Sequence, residues 1–412
     1  MKNIILCGIR TDESEHVFTS RMEELEALCK ADDLKVVSKV MQKASSLHPK
    51  TAFREGKLHE LAVSVQMHEA DIVVFYNSLS PKISQRIAEV CNCKVIDRTA
   101  VILDIFAAHA RSRPAKLQTE MARLQYELPY AMSHHKPQER MRGGGVTNRG
   151  SGEMQNSLIA GNYKKRIHNL QKELDRIQLQ HHQDENRRTK LRIARAALVG
   201  YTNAGKSFLM NALLDYSDAK GMQVLEKDQL FATLDTSVRL IHDQNKSFLL
   251  YDTVGFVSDL PKDLLKAFET TLSAVKDADL LIHVIDSSDE EYEEKIQITE
   301  DTLKEIHADH IPVLKVYTKS DLLSDKSDGR FYVSSVTQEG IPAFIKEVIH
   351  RLYPHETIMH CHIPYGQSGL LQSYTHAVTI QFLDNDETGM NVHIEGPESY
   401  LKVFQPYRKK EK

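Results

Sequence analysis

Cysteine is scarce in this 412-residue chain: Cys7, Cys29, Cys91, Cys93 and Cys361 make an odd set of five with no C-x-x-C pair. A disulfide framework and a zinc site of the usual spacing are excluded on that count, and free thiols in a reducing cytoplasm are expected. Long apolar runs are missing too. Stretches such as Ala196–Val199 and Leu280–Ile285 fall far short of the roughly 20 residues a bilayer span needs, so no membrane span is expected. The opening MKNIILCGIR lacks the long apolar region and small-residue cleavage site of a secretory signal. There are 20 histidines, but His360-Cys361-His362, His134-His135 and His181-His182 have no carboxylate partners or tetrahedral set beside them, so they are read as ordinary residues. What remains, at 41% hydrophobic residues, is a soluble protein of about two or three domains.

The net charge of −4 is unevenly spread. Residues 1–106 hold 14 Lys+Arg against 15 Asp+Glu, residues 107–195 hold 18 against 8, and residues 196–412 hold 21 against 34. A middle segment at +10 between neutral and acidic neighbours suits a polyanion, because each neutralised phosphate releases counterions. A solvated helical face is the plainer reading of the same charges.

Four domains are expected, all α/β in class apart from a helical insert. Residues 1–106 alternate strand-like runs (Asn3–Cys7, Lys35–Val40, Asp71–Tyr76, Lys94–Ile96) with helix-like ones (Arg21–Lys30, Lys57–His68, Pro81–Val90), as in a small parallel α/β domain. Residues 107–192 form a basic two-helix hairpin: apolar residues recur at helical spacing from Ile105 to about Tyr130, and again from Gln155 to Arg195. The loop His134–Gly152 between them holds five glycines with Arg140, Arg142 and Arg149, able to lay backbone and guanidinium groups on phosphates or to act as a flexible linker. Residues 193–354 read as a doubly wound sheet, with strands AALVG, SFLLYD, DLLIHVID, PVLKVYT and RFYVSS. Residues 355–412 form a small appendix with a hairpin made of His376–Phe382 and Met390–Ile394.

The chemistry lies in 193–354. Gly200-Tyr201-Thr202-Asn203-Ala204-Gly205-Lys206-Ser207 is a G-x-x-x-x-G-K-S placed between a strand and a helix, the context a phosphate loop requires. Its backbone N–H groups cradle phosphates, Lys206 reaches the β and γ groups, and the Ser207 hydroxyl binds magnesium. Asp252, ending the strand SFLLYD, suits the shell of the metal, and the Gly255 N–H suits a γ-phosphate. In Phe231-Ala232-Thr233, Thr233 sits where a switch loop adds a second hydroxyl to the metal. Thr318-Lys319-Ser320-Asp321 follows a buried strand, and Asp321 can accept two hydrogen bonds from a guanine edge, which favours GTP over ATP. Ser334 and Ser335 stand where a base-capping loop belongs. Phe256 occupies the place where a water-orienting Gln often follows, so slow hydrolysis without a partner is expected. Asn203 points to a monovalent cation such as K+ near the β/γ bridge.

The chain resembles the HflX family of ribosome-associated GTPases. The likeness is carried by DIVVFYNSLSP, VIDRTAVILDIFAAHA, KLQTEMARLQYELP, GGVTNRGSGE, GYTNAGKS, FATLD, DTVGFVSDLP and ADLLIHVID. The resemblance implies a GTPase that binds the 50S subunit or the 70S ribosome in its GTP state, reaches 23S rRNA with the hairpin loop, and separates subunits or rescues stalled ribosomes. It also leaves two other roles open: an antibiotic-resistance factor that displaces drugs from the large subunit, or a GTP-gated assembly scaffold. The chain departs from the family at Ser151 and Met154–Ser157, at Thr318 where the family has Asn, and at Ser335 where it has Ala.

Overall fold

The computed structural model describes residues 1–133, 149–188, 193–217, 237–243, 246–257, 274–323, 326, 329–354, 356–375 and 377–409. The chain forms two compact units that divide between Ile177 and Gln178.

In the first unit β1 (Lys2–Arg10), β2 (Leu34–Lys43), β3 (Ile72–Phe75) and β4 (Lys94–Asp97) form a parallel sheet in the order β2-β1-β3-β4. Helices α1 (Glu15–Ala31), α2 (Glu55–Met67) and α3 (Pro81–Cys91) connect them, as the alternation predicts. The Ser14 hydroxyl caps α1 by accepting from the Val17 N–H at 3.2 Å, and Pro81, whose missing N–H costs nothing in a first turn, opens α3. Ile5, Cys7, Phe53, Val73 and Phe75 close the core on one face.

The single helix expected from Ile105 to Tyr130 is two: α4 (Arg98–His109) and α5 (Arg113–Ser133). The backbone turns extended at Ala110, and the Ser112 hydroxyl accepts from the Ala115 N–H at 3.2 Å, which starts a new helix. Helix α6 (Arg149–Arg188) begins inside the span expected to be loop; residues 134–148, with Arg140 and Arg142, lie outside the described residues. Helices α5 and α6 run antiparallel, since Arg113 pairs with Glu173 and Arg166 with Glu120, each at 2.6 Å.

The second unit holds a five-stranded sheet in the order β6-β7-β5-β8-β9, built from β5 (Ala194–Val199), β6 (Ser237–Asp243), β7 (Lys246–Asp252), β8 (Leu280–Asp286) and β9 (Val313–Thr318). Only β6, which the sequence reading missed, is antiparallel. It is an edge strand with half-buried Val238, Arg239 and Leu240 and no clean alternation. Helices α7 (Lys206–Tyr216), α8 (Tyr292–Glu305) and α9 (Ile341–Leu352) accompany the sheet. RFYVSS, expected as a strand, makes only an isolated bridge between Tyr317 and Tyr332. The bridge is held by the Tyr317 N–H donating to Phe331 O and the Val333 N–H donating to Tyr317 O; the next N–H, of Ser334, donates to the Glu339 carbonyl instead.

After α9 comes an antiparallel sheet ordered β10-β12-β11, from β10 (Glu356–Pro364), β11 (Thr379–Asn385) and β12 (Gly389–Pro397). The β11–β12 hairpin matches expectation; β10 does not. Its signal was there, since Met359, Cys361 and Ile363 alternate inward with His360 and His362 between them. These inward residues, with Leu371, Val392, Ile394, Leu401 and Phe404, share one apolar core with Leu198, Leu213, Phe248 and Phe344 of the larger sheet and its helices.

Candidate functional site

The strand order reverses on either side of β5, whose carboxyl end is where a doubly wound sheet opens a ligand crevice. The phosphate-loop residues occupy that place, between β5 and α7. Gly200 has φ +144°, and a Cβ there would stand 2.3 Å from the Val284 carbonyl oxygen, so only glycine passes. Asn203 and Gly205 also adopt positive φ, which turns the chain into α7.

Lys206 is buried at the start of α7, its ammonium donating to the carbonyls of Gly200 (3.1 Å) and Tyr201 (2.7 Å). Burial lowers its pKa to about 8, with Asp252 pulling the other way. The Ser207 hydroxyl donates to Asp252 Oδ2 at 2.7 Å, so the two oxygen groups expected at a metal stand together. A hydroxyl and a carboxylate are hard oxygen donors and fit Mg2+.

Gly255 lies against the loop: a Cβ on it would approach Thr202 Cα to 2.7 Å and Lys206 Nζ to 3.0 Å. The next residue docks by its backbone, the Phe256 N–H donating to Gly200 O (3.0 Å) and the Thr202 N–H to Phe256 O (2.7 Å). The Phe256 ring is fully buried.

Residues 318–321 end β9 beside the same loop. The Thr318 hydroxyl reaches the Ala204 carbonyl at 2.7 Å and the Ile285 carbonyl at 3.0 Å. Lys319 adopts φ +56° and pairs with Asp286 at 2.7 Å. Asp321 is exposed, and its Oδ1 accepts from the Ser334 hydroxyl at 2.6 Å. Ser334 is buried and Ser335 half-buried. The structure therefore brings together Gly200–Ser207, Asp252, Gly255, Thr318–Asp321 and Ser334–Ser335. Phe231, Ala232 and Thr233 lie outside the described residues, as does the Arg149 side chain. Sequence reasoning missed Asp286, and Lys295, which is stacked 5.3 Å from the Tyr201 ring centroid; neither carries a motif signal. Among the described residues no group of three or more His, Cys, Asp or Glu could hold a metal, and no helix is long and apolar enough to cross a membrane.

A phosphate loop at the reversal point of a doubly wound sheet, with a guanine-type motif at the end of β9, two strands along from β5, defines a P-loop GTPase. Family models agree along the chain: "GTP-binding GTPase N-terminal" matches residues 19–107, "GTP-binding GTPase Middle Region" 109–188 and "50S ribosome-binding GTPase" 195–319. GTPase HflX of Caldanaerobacter subterraneus subsp. tengcongensis is 33% identical over 95% of this chain and 90% of its own length, and that of Escherichia coli 36% identical over 80% and 79%. A GTP-binding protein from Sulfolobus solfataricus, solved in complex with GDP, aligns with 25% identity over 85% of this chain and 99% of that one, at a TM-score of 0.44. The chain belongs to the HflX GTPase family, and it hydrolyses GTP.

Proposed function

We propose that this GTPase, in its GTP state, binds the large ribosomal subunit in the cytoplasm and uses that binding to dissociate or rescue stalled ribosomes. The observation that carries the reading is the match of residues 195–319 to a family described as 50S ribosome-binding GTPases. The +10 segment supports it, because excess Lys and Arg in one stretch of chain suits 23S rRNA phosphates; helices α5 and α6 hold 11 Lys+Arg against 7 Asp+Glu, and the rest of the excess lies in the residues between and beside them. Arg140, Arg142 and Arg149, which follow α5 in the sequence, are assigned to the same contact.

In the nucleotide site Lys206 binds the β and γ phosphates together with the backbone of 200–207, and the Gly255 N–H faces the γ-phosphate. Ser207, Asp252 and Thr233 would hold Mg2+, which would supply positive charge to the phosphates. Asp321 reads the guanine edge, and the 334–335 loop covers the base. Buried Phe256 orders no water, so the ordering group comes from a partner or from another part of the chain. Asn203, in its left-handed turn, is assigned to a K+ ion; equal hydrolysis rates in potassium and sodium would remove that assignment.

The test is GTP hydrolysis by the purified protein with and without 50S subunits. A rise of orders of magnitude is expected. An unchanged slow rate, or binding confined to immature particles, would put an assembly scaffold in place of the splitting factor.

A further inference from the structure

The hydroxyl of Thr318 has one proton and two carbonyls in reach. Its Oγ1 lies 2.7 Å from the Ala204 oxygen in the phosphate loop and 3.0 Å from the Ile285 oxygen at the end of β8, and the residue is 2% exposed. Both neighbours are acceptors only, so the proton is committed between them. The side chain also packs on the loop: a Cβ on Gly205 would stand 3.5 Å from Thr318 Oγ1 and 3.9 Å from its methyl. Beside it the Lys319 ammonium is held by Asp286 at 2.7 Å. An asparagine here would carry two amide protons, one to hold the loop and one to spare. Threonine has none to spare.

Resting on the assignment of 318–321 to the guanine base, we propose that Thr318 is a positioning residue that ties the phosphate loop to the base-binding strand and makes no hydrogen bond to the purine N7. Recognition of guanine then falls on its Watson–Crick edge at Asp321, held by Ser334, and on the backbone of the capping loop. N7, an acceptor, meets no side-chain donor from this strand.

The probe is 7-deaza-GDP, in which a C–H replaces N7, compared with GDP and ADP by direct binding to the full chain. GDP must first bind far more tightly than ADP; equal binding would remove the guanine-site assignment itself. With that discrimination in place, GDP and 7-deaza-GDP are expected to bind the natural protein within twofold of each other. A loss of about fivefold or more for 7-deaza-GDP, the size of one hydrogen bond, would overturn the proposal. Thr318→Asn is expected to open a ratio of about that size, and an unchanged ratio would show that residue 318 does not govern N7. Thr318→Ser, which keeps the hydroxyl, should bind like the natural protein. Thr318→Val, which loses only the tether, should weaken GDP and 7-deaza-GDP equally; a selective loss of GDP would count against the tether.

Discussion

Lys206 is a buried ammonium whose charge is tolerated because two loop carbonyls accept its hydrogen bonds and Asp252 lies near. Replacing it by alanine removes the cation assigned to the phosphates, and Ser207→Ala removes the hydroxyl that donates to Asp252. Either variant is expected to lose GTP turnover, read as phosphate release; retained turnover would mean that the phosphate-loop assignment is wrong. A second residue-scale effect belongs to the first unit. Burial, helped by Asp104 and Asp33, raises the Asp32 carboxyl from 3.8 to about 6. The folded state thus prefers this acid protonated, and a penalty grows as pH rises from about 4 and is complete above 6. Asp32→Asn should raise the melting temperature at pH 7.5 and leave it unchanged at pH 4. A shift equal at both pH values would assign the effect to something other than charge. Both lysine and serine roles were assigned from letters of one motif; the Asp32 shift was not legible, because it arises from burial and from the carboxylates that the fold brings near it.

Elements were legible where a single period governs them. The parallel strands of the first unit and the strands of the larger sheet appear as short apolar runs, and α7 follows its loop directly. The break between α4 and α5 was hidden because apolar spacing runs on through Phe106, Ala110 and Leu117; Ser112, acting as a cap, and Pro114 in the first turn of α5 mark it. RFYVSS was mistaken for a strand because its residues suit one, while the turn in which the Ser334 N–H donates to the Glu339 carbonyl ends its pairing, and Gly340 directly follows that turn. At φ +77° a Cβ there would meet the Tyr332 carbonyl at 2.2 Å. Gly340→Ala is expected to destabilise the second unit by more than about 1 kcal/mol and to weaken guanine-nucleotide binding through the 334–339 turn. Nucleotide affinity unchanged beside a lowered melting point would separate that turn from the base site.

At the scale of the whole molecule, the residues after 354 complete the core of the GTPase sheet. The Tyr353 and Tyr400 rings lie 5.7 Å apart, the Tyr353 hydroxyl donates to the Ser247 carbonyl of β7, and Phe404 is fully buried in the shared cluster. Phe404→Ala should cost about 3–5 kcal/mol and lower the melting of the whole second unit in one transition, followed by tyrosine fluorescence and nucleotide binding together. Two separate transitions would show that the C-terminal sheet folds by itself. The uneven charge, by contrast, was countable without any fold, because a segment's net charge is a sum over its residues.

Phosphate binding was written in the chain itself because one loop of eight consecutive residues supplies its backbone donors, its lysine and its hydroxyl, so chemistry and spacing coincide. Contacts between distant residues needed the folded sheet: Ser207 with Asp252 across 45 positions, and Thr318 with Ala204 across 114. Strand order alone brings those groups within 3 Å. Hydrogen bonds act only at that distance, and which strands become neighbours depends on how every apolar face finds cover at once.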